Sequence, residues 1–168
     1  MATITLQGTP FETVGDLPAV GTQAPAFNLA KQDLKPATLD DFKGHKLVLN
    51  IVPSVDTGVC ATSARKFNEE AASLENTKIL TISKDLPFAM GRFCAAEGIE
   101  DVVMLSGFRD SEFGHAYGVG ADQGPFQGLY TRAVVVLDAD HKVVYTEHGP
   151  EIAQEPDYES ALNALQGA

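Results

Sequence analysis

The segment Lys46-Leu47-Val48-Leu49-Asn50-Ile51-Val52, stopped by Pro53, restricts the fold more than any other. So short and continuous an apolar run reads as a strand buried on both faces. Such a strand belongs in the middle of a sheet covered by helices on each side. The period then changes. Cys60, Ala64, Phe67, Ala71 and Leu74 recur in steps of four, three, four and three, which is one face of a helix. Lys78 to Ser83 reads as the next strand. Pro87 opens a second helix reaching about Glu97, with proline in its favoured first turn. Val102 to Leu105 is a further strand, followed by a short helix near Ser111 to Tyr117.

Residues 118–130 hold four glycines and a proline and read as a loop. Ala133 to Leu137 and Val143 to Thr146 are two strands about the turn Asp138-Ala139-Asp140-His141. Pro156 opens a last helix with Tyr158, Leu162 and Leu165 on one face. At the other end, Thr3 to Gln7 alternates, Gly8-Thr9-Pro10 is turn chemistry, and Phe11 to Val14 completes an N-terminal hairpin. Residues 15–46 read as short strands and turns anchored by Phe27, Leu29, Leu39 and Phe42. The order predicts an α/β fold, a mixed sheet with helices on both faces. There is no internal repeat and no linker, and 168 residues suit one domain.

Charge narrows the partners. With 23 acids against 12 bases, the net charge of −11 repels phosphate backbones and anionic lipid. Nucleic-acid and membrane binding are therefore not expected. The longest apolar runs fall far short of the roughly 20 residues a bilayer needs. Met1 to Gly8 lacks a basic n-region and a continuous apolar h-region, so a cytoplasmic location is expected.

The chain has two cysteines, which is too few for a disulfide scaffold. Each is either buried packing or redox chemistry, and cysteine is often buried. Cys60 stands where a strand gives way to a helix. The first turn of a helix aims unpaired N–H groups and partial positive charge at whatever lies there. That field favours thiolate over thiol, and the thiolate is the nucleophile. Cys94 follows on the second helix. Its spacing excludes a C-x-x-C pair, and His45, His115, His141 and His148 are scattered without ligand spacing, so no metal or cofactor is expected.

The loop Pro53-Ser54-Val55-Asp56-Thr57-Gly58-Val59-Cys60 resembles the peroxidatic loop of the peroxiredoxins. Its PSxDTxVC form is similar to that of the thiol peroxidase (Tpx) subfamily, of the atypical two-cysteine type. Gly21 to Leu29, Thr38 to Gly44 and Arg92-Phe93-Cys94 also resemble that subfamily's segments. The resemblance implies one thioredoxin-like domain over 1–168, with residues 1–17 as a hairpin extension. It implies that Cys60 attacks peroxide, that Thr57 hydrogen-bonds peroxide and thiolate, and that Pro53 shields the sulfur. Arg132 matches the arginine beside the thiolate. Cys94 would resolve the Cys60 sulfenic acid as an intrachain disulfide, with thioredoxin as reductant.

The residues also allow plainer readings. Pro53 can simply end a strand, Thr57 can cap a helix, and Arg132 can be a surface arginine. The resemblance further implies reduction of hydrogen peroxide and organic hydroperoxides, antioxidant defence and a homodimer. A peroxide-sensing thiol–disulfide switch without sustained turnover is the alternative. A non-catalytic binding protein such as a metallochaperone would want a close cysteine pair with histidine, which is absent. Phe88, Leu129 and Tyr130 suggest an apolar rim for alkyl peroxides, with packing as their competing role. Two cysteines on separate helices need Cα atoms within about 7 Å to bond. Local unwinding around Cys60 and Cys94 is therefore expected during the cycle.

Overall fold

The computed structural model describes residues 3–6, 8–71, 74–149 and 155–168. Gln7, expected at the end of the first hairpin strand, and the Ala71 side chain lie outside the described residues. β1 (Thr3–Leu6) and β2 (Thr9–Glu12) pair antiparallel as a separate two-stranded sheet. The second strand begins earlier than expected, because Pro10 lies within it opposite Thr5. A proline is tolerated there because each strand of a two-stranded sheet has a free edge. The turn shortens accordingly, with Gly8 at φ 85°.

β3 (Asn28–Ala30) and β4 (Pro36–Thr38) follow, then a 3-10 turn over Leu39–Phe42. The predicted central strand is β5 (Lys46–Ile51), and the predicted first helix is α1 (Gly58–Ala71). Next come β6 (Thr77–Ser83), α2 (Pro87–Glu97) and β7 (Val102–Ser106). α2 keeps the expected bounds, with Pro87 in its first turn and Gly98 closing it in the left-handed region. α3 (Phe113–Ala116) is shorter than expected. β8 (Ala133–Leu137), β9 (Val143–His148) and α4 (Tyr158–Gln166) complete the chain. Pro156 does not open α4. Asp157 caps it instead, its carboxylate accepting from the Ser160 N–H at 3.1 Å, and Pro156 lies just outside.

The main sheet has seven strands in the order β4-β3-β7-β6-β5-β8-β9. β5, β6 and β7 run parallel, whereas β8 pairs antiparallel with β5. Alternation along β5 divides the core. Leu47, Leu49 and Ile51 join Phe27, Phe113 and Tyr130 on one face. Val48 joins Phe67, Met90 and Leu165 on the other, beneath α1, α2 and α4. This is a thioredoxin-like mixed sheet with helices on both sides. The hairpin packs apart from both layers, through Ile4 and Phe11 against Ala121 of the 118–130 loop. Gly118, at φ 67°, lets that loop pass close against the backbone of Asp16, where any Cβ would collide. Among the described residues, no helix is long and apolar enough to cross a membrane.

Candidate active site

β5 ends at Ile51, and the loop 52–57 delivers Cys60 into the first turn of α1. The Cys60 side chain is completely buried. Its turn is tied back to the sheet. The Ser63 hydroxyl donates to the Cys60 carbonyl at 2.9 Å, and Asn50 Nδ2 of β5 donates to that hydroxyl oxygen at 3.3 Å.

Arg132 comes from far along the chain, but topology makes it a neighbour. In the β5–β8 ladder, Ile51 faces Ala133, so Arg132 stands where the Cys60 loop begins. Its Nη2 donates to Cys60 Sγ at 3.0 Å. Arg132 is 2% exposed, so the surface reading of this arginine fails. A cation facing sulfur away from bulk water acts at low dielectric, where its field is strong.

A cavity of about 170 Å³ opens beside these groups, lined by Pro53, Thr57, Val59 and Arg132 together with Leu6 and Phe126. Its walls are mainly apolar, and Arg132 supplies the cationic group. Thr57 occupies the position before α1, and its carbonyl accepts from the Ala61 N–H at 2.9 Å. Its hydroxyl donates to the Ser54 carbonyl at 3.0 Å. Meeting a bound peroxide as a donor therefore requires that hydroxyl to rotate.

Phe88, Leu129 and Tyr130 do not form the rim of this cavity. Phe88 is exposed at the start of α2. Tyr130 is buried in the core, 5.3 Å from the Phe113 ring. Leu129 and Tyr130 line a different cavity, near Lys84 and Asp110. The apolar wall beside Cys60 is built by Leu6 of the hairpin and Phe126 of the glycine-rich loop, which pack in one cluster. Only the alternation of β1 and the place of Phe126 between Gly124 and Gly128 signalled them in advance.

Both cysteines are free thiols. Cys94 is buried on α2 among Met90, Phe93 and Met104. Gln32, from the turn between β3 and β4, donates from Nε2 to Cys94 Sγ at 3.7 Å. Burial pushes the Cys94 thiol up, and the Gln32 hydrogen bond pulls it part of the way back. The reduced cysteines thus lie in separate environments, one facing Arg132 and the other Gln32. Among the described residues, no group of three or more His, Cys, Asp or Glu side chains is arranged to hold a metal ion.

Residues 19–162 match the Redoxin family. The chain is 56% identical over 165 residues to a thiol peroxidase of Corynebacterium glutamicum, covering 98% of this chain and 99% of that one. It is 58% identical over the same length, with the same coverage, to a thiol peroxidase of Mycobacterium tuberculosis. In structure it resembles a peroxiredoxin-like protein from Aquifex aeolicus, with a TM-score of 0.93, 36% identity, and coverage of 99% of this chain and 97% of that one.

Proposed function

The chain belongs to the Redoxin family, among its thiol peroxidases, and on that footing we propose that it reduces hydroperoxides by a cycle in which Cys60 attacks and Cys94 resolves. Reduction of peroxide at the expense of a thiol is the activity of the class. The observation that carries the assignment of Cys60 is the buried 3.0 Å contact from Arg132 to its sulfur.

In the first step, the Cys60 thiolate attacks one peroxide oxygen in line with the O–O bond. That bond breaks, and the far oxygen leaves as alkoxide or hydroxide and takes up a proton. Sulfur is oxidised to sulfenic acid. Negative charge moves from sulfur toward the oxygens, so fixed donors stabilise the transition state more than the ground state. Arg132 and the N–H groups of the first turn of α1 are the donors in reach, and Thr57 joins them on rotation. Pro53, in the cavity wall, limits water at the sulfur.

In the second step, the Cys94 thiolate attacks the sulfenic sulfur. Hydroxide leaves as water, and a disulfide forms. Burial favours the neutral Cys94 thiol over the thiolate in the reduced arrangement. Unwinding around both cysteines would bring the sulfurs together and return Cys94 to water, where it ionises more readily. A dithiol reductant, thioredoxin in this proposal, then restores both thiols. The apolar wall of Leu6 and Phe126 gives the organic part of an alkyl hydroperoxide a surface to bury against, and hydrogen peroxide reacts at the same sulfur without that contact.

The proposal includes a single domain, a cytoplasmic location, a role in antioxidant defence and a homodimer. Leu86 and Phe88, 51% and 68% exposed at the start of α2, are apolar surface that a second copy would cover.

A steady-state assay coupled to thioredoxin and its reductase tests the cycle. Wild type should turn over both hydrogen peroxide and cumene hydroperoxide. Cys60→Ser should be inactive, since a hydroxyl is a far poorer nucleophile. Cys94→Ser should consume about one equivalent and stall. More than trace activity in Cys60→Ser removes the nucleophile, and sustained turnover in Cys94→Ser removes the resolving role.

A further inference from the structure

Asp85 takes no part in the chemistry above, yet the structure converges on it. Its Oδ1 accepts from the Ser54 hydroxyl at 2.8 Å. Its Oδ2 accepts from the Val55 backbone N–H at 2.8 Å and from the Ser83 hydroxyl at 2.7 Å. Its carbonyl accepts from the Ser106 hydroxyl. One residue thus joins the ends of β6 and β7 to the loop that precedes Cys60.

A carboxylate is the side chain for this task. It is an acceptor only, with room for several donors, and its bonds are strengthened by charge. The contacts lead on to the site. The Ser54 carbonyl takes the Thr57 hydroxyl at 3.0 Å and the Thr57 N–H at 3.3 Å. Val55, anchored by Asp85, is 1% exposed beneath α1. In the other direction, Asp85 runs through Leu86 into Pro87, the first residue of α2. Cys94 lies about two turns further along that helix.

We propose that Asp85 is a positioning residue that clamps the 53–57 loop in its peroxide-reacting form and so sets how readily Cys60 leaves that form. The second half rests on the two-cysteine cycle described above. The Cys60 sulfenic acid has two fates. It condenses with the Cys94 thiol, releasing water and forming the disulfide. Otherwise it attacks a second hydroperoxide, which oxidises it to sulfinic acid and releases an alcohol. The first fate needs the loop to open, and the second needs it closed. A looser clamp therefore slows the first oxidation and favours the disulfide over the sulfinic acid.

The test replaces Asp85 with Ala, which removes the clamp. Asp85→Asn, which keeps the shape but loses the charge, serves as the variant most certain to fold. On the Cys94→Ser background, the rate constant for the first peroxide oxidation should fall about tenfold in Asp85→Ala, and less in Asp85→Asn. With Cys94 present, disulfide formation should accelerate, and the peroxide concentration that converts half of Cys60 to sulfinic acid should rise several-fold. Opposite changes in the two steps are the signature, because general loss of structure would slow both. An unchanged first step, or equal slowing of both steps, overturns the proposal. Failure of the two-cysteine cycle shows separately, as sustained turnover by the single Cys94→Ser variant, while the first-step rate still judges the clamp.

Discussion

Replacing Arg132 with Met removes the one contact on which the assignment of Cys60 depends most. Arg132 and Cys60 are 2% and 0% exposed, so bulk water screens their contact little. At the observed 3.0 Å, two unit charges interact by about 5–6 kcal/mol at an effective dielectric of about 20. Much of that attraction exists before reaction, when the charge sits on sulfur, and cancels from the barrier. What reaches the rate is the extra stabilisation as charge spreads onto the peroxide oxygens. For a single fixed donor that is on the order of 3 kcal/mol, or roughly 150-fold. Met is flexible and apolar and fills much of the vacated volume, so the fold should persist. Arg132→Lys keeps the charge but not the planar fork, and should lose an intermediate amount. The chain has no tryptophan, so single-turnover oxidation is best followed by acid quench and the mass of the Cys60 peptide. An Arg132→Met rate within about threefold of wild type would falsify the assignment of this arginine to peroxide reduction.

Two further predictions concern the walls of the cycle. Phe126→Ala should lower kcat/KM for cumene hydroperoxide about tenfold while leaving hydrogen peroxide within about twofold, since only the organic substrate has apolar surface to bury there. Equal losses on both substrates would show that Phe126 supports the loop and does not select the substrate. For Cys94, burial raises the thiol, so its alkylation by iodoacetamide should climb with pH to a midpoint above that of an exposed cysteine. Gln32→Leu keeps the cover but removes the donor that favours thiolate, so the midpoint should move further up. A midpoint that stays or falls would mean that the 3.7 Å contact does not act on the sulfur.

Burial of β5 on both faces, the helical face of Cys60, Ala64 and Phe67, and proline at the head of α2 were legible because each depends on neighbours a few residues away. Cys60 was legible for the same reason, since the Pro53–Thr57–Cys60 loop and the helix start lie in one continuous stretch. Pro156 misled because local propensity marks a helix start only to within a residue or two, and the Asp157 side chain settles the cap. The partners of the sulfur were a different matter. Arg132 lies 72 residues from Cys60. Its role was suggested by resemblance alone, and it becomes a contact only through the antiparallel register of β5 and β8. Phe88, Leu129 and Tyr130 were plausible rim residues by composition, but packing sent Tyr130 to the core and left Phe88 on the surface. Leu6 and Phe126 took the places beside Cys60 and Gln32 the place beside Cys94 instead, with Asp85 holding the loop before Cys60. The sequence by itself determined where Cys60 sits, behind a turn and in the first turn of a helix, because periodicity and turn chemistry act over short range. Only the tertiary structure decided what surrounds that residue, because distant segments meet where the sum of burial and strand pairing puts them, and no local pattern records that sum.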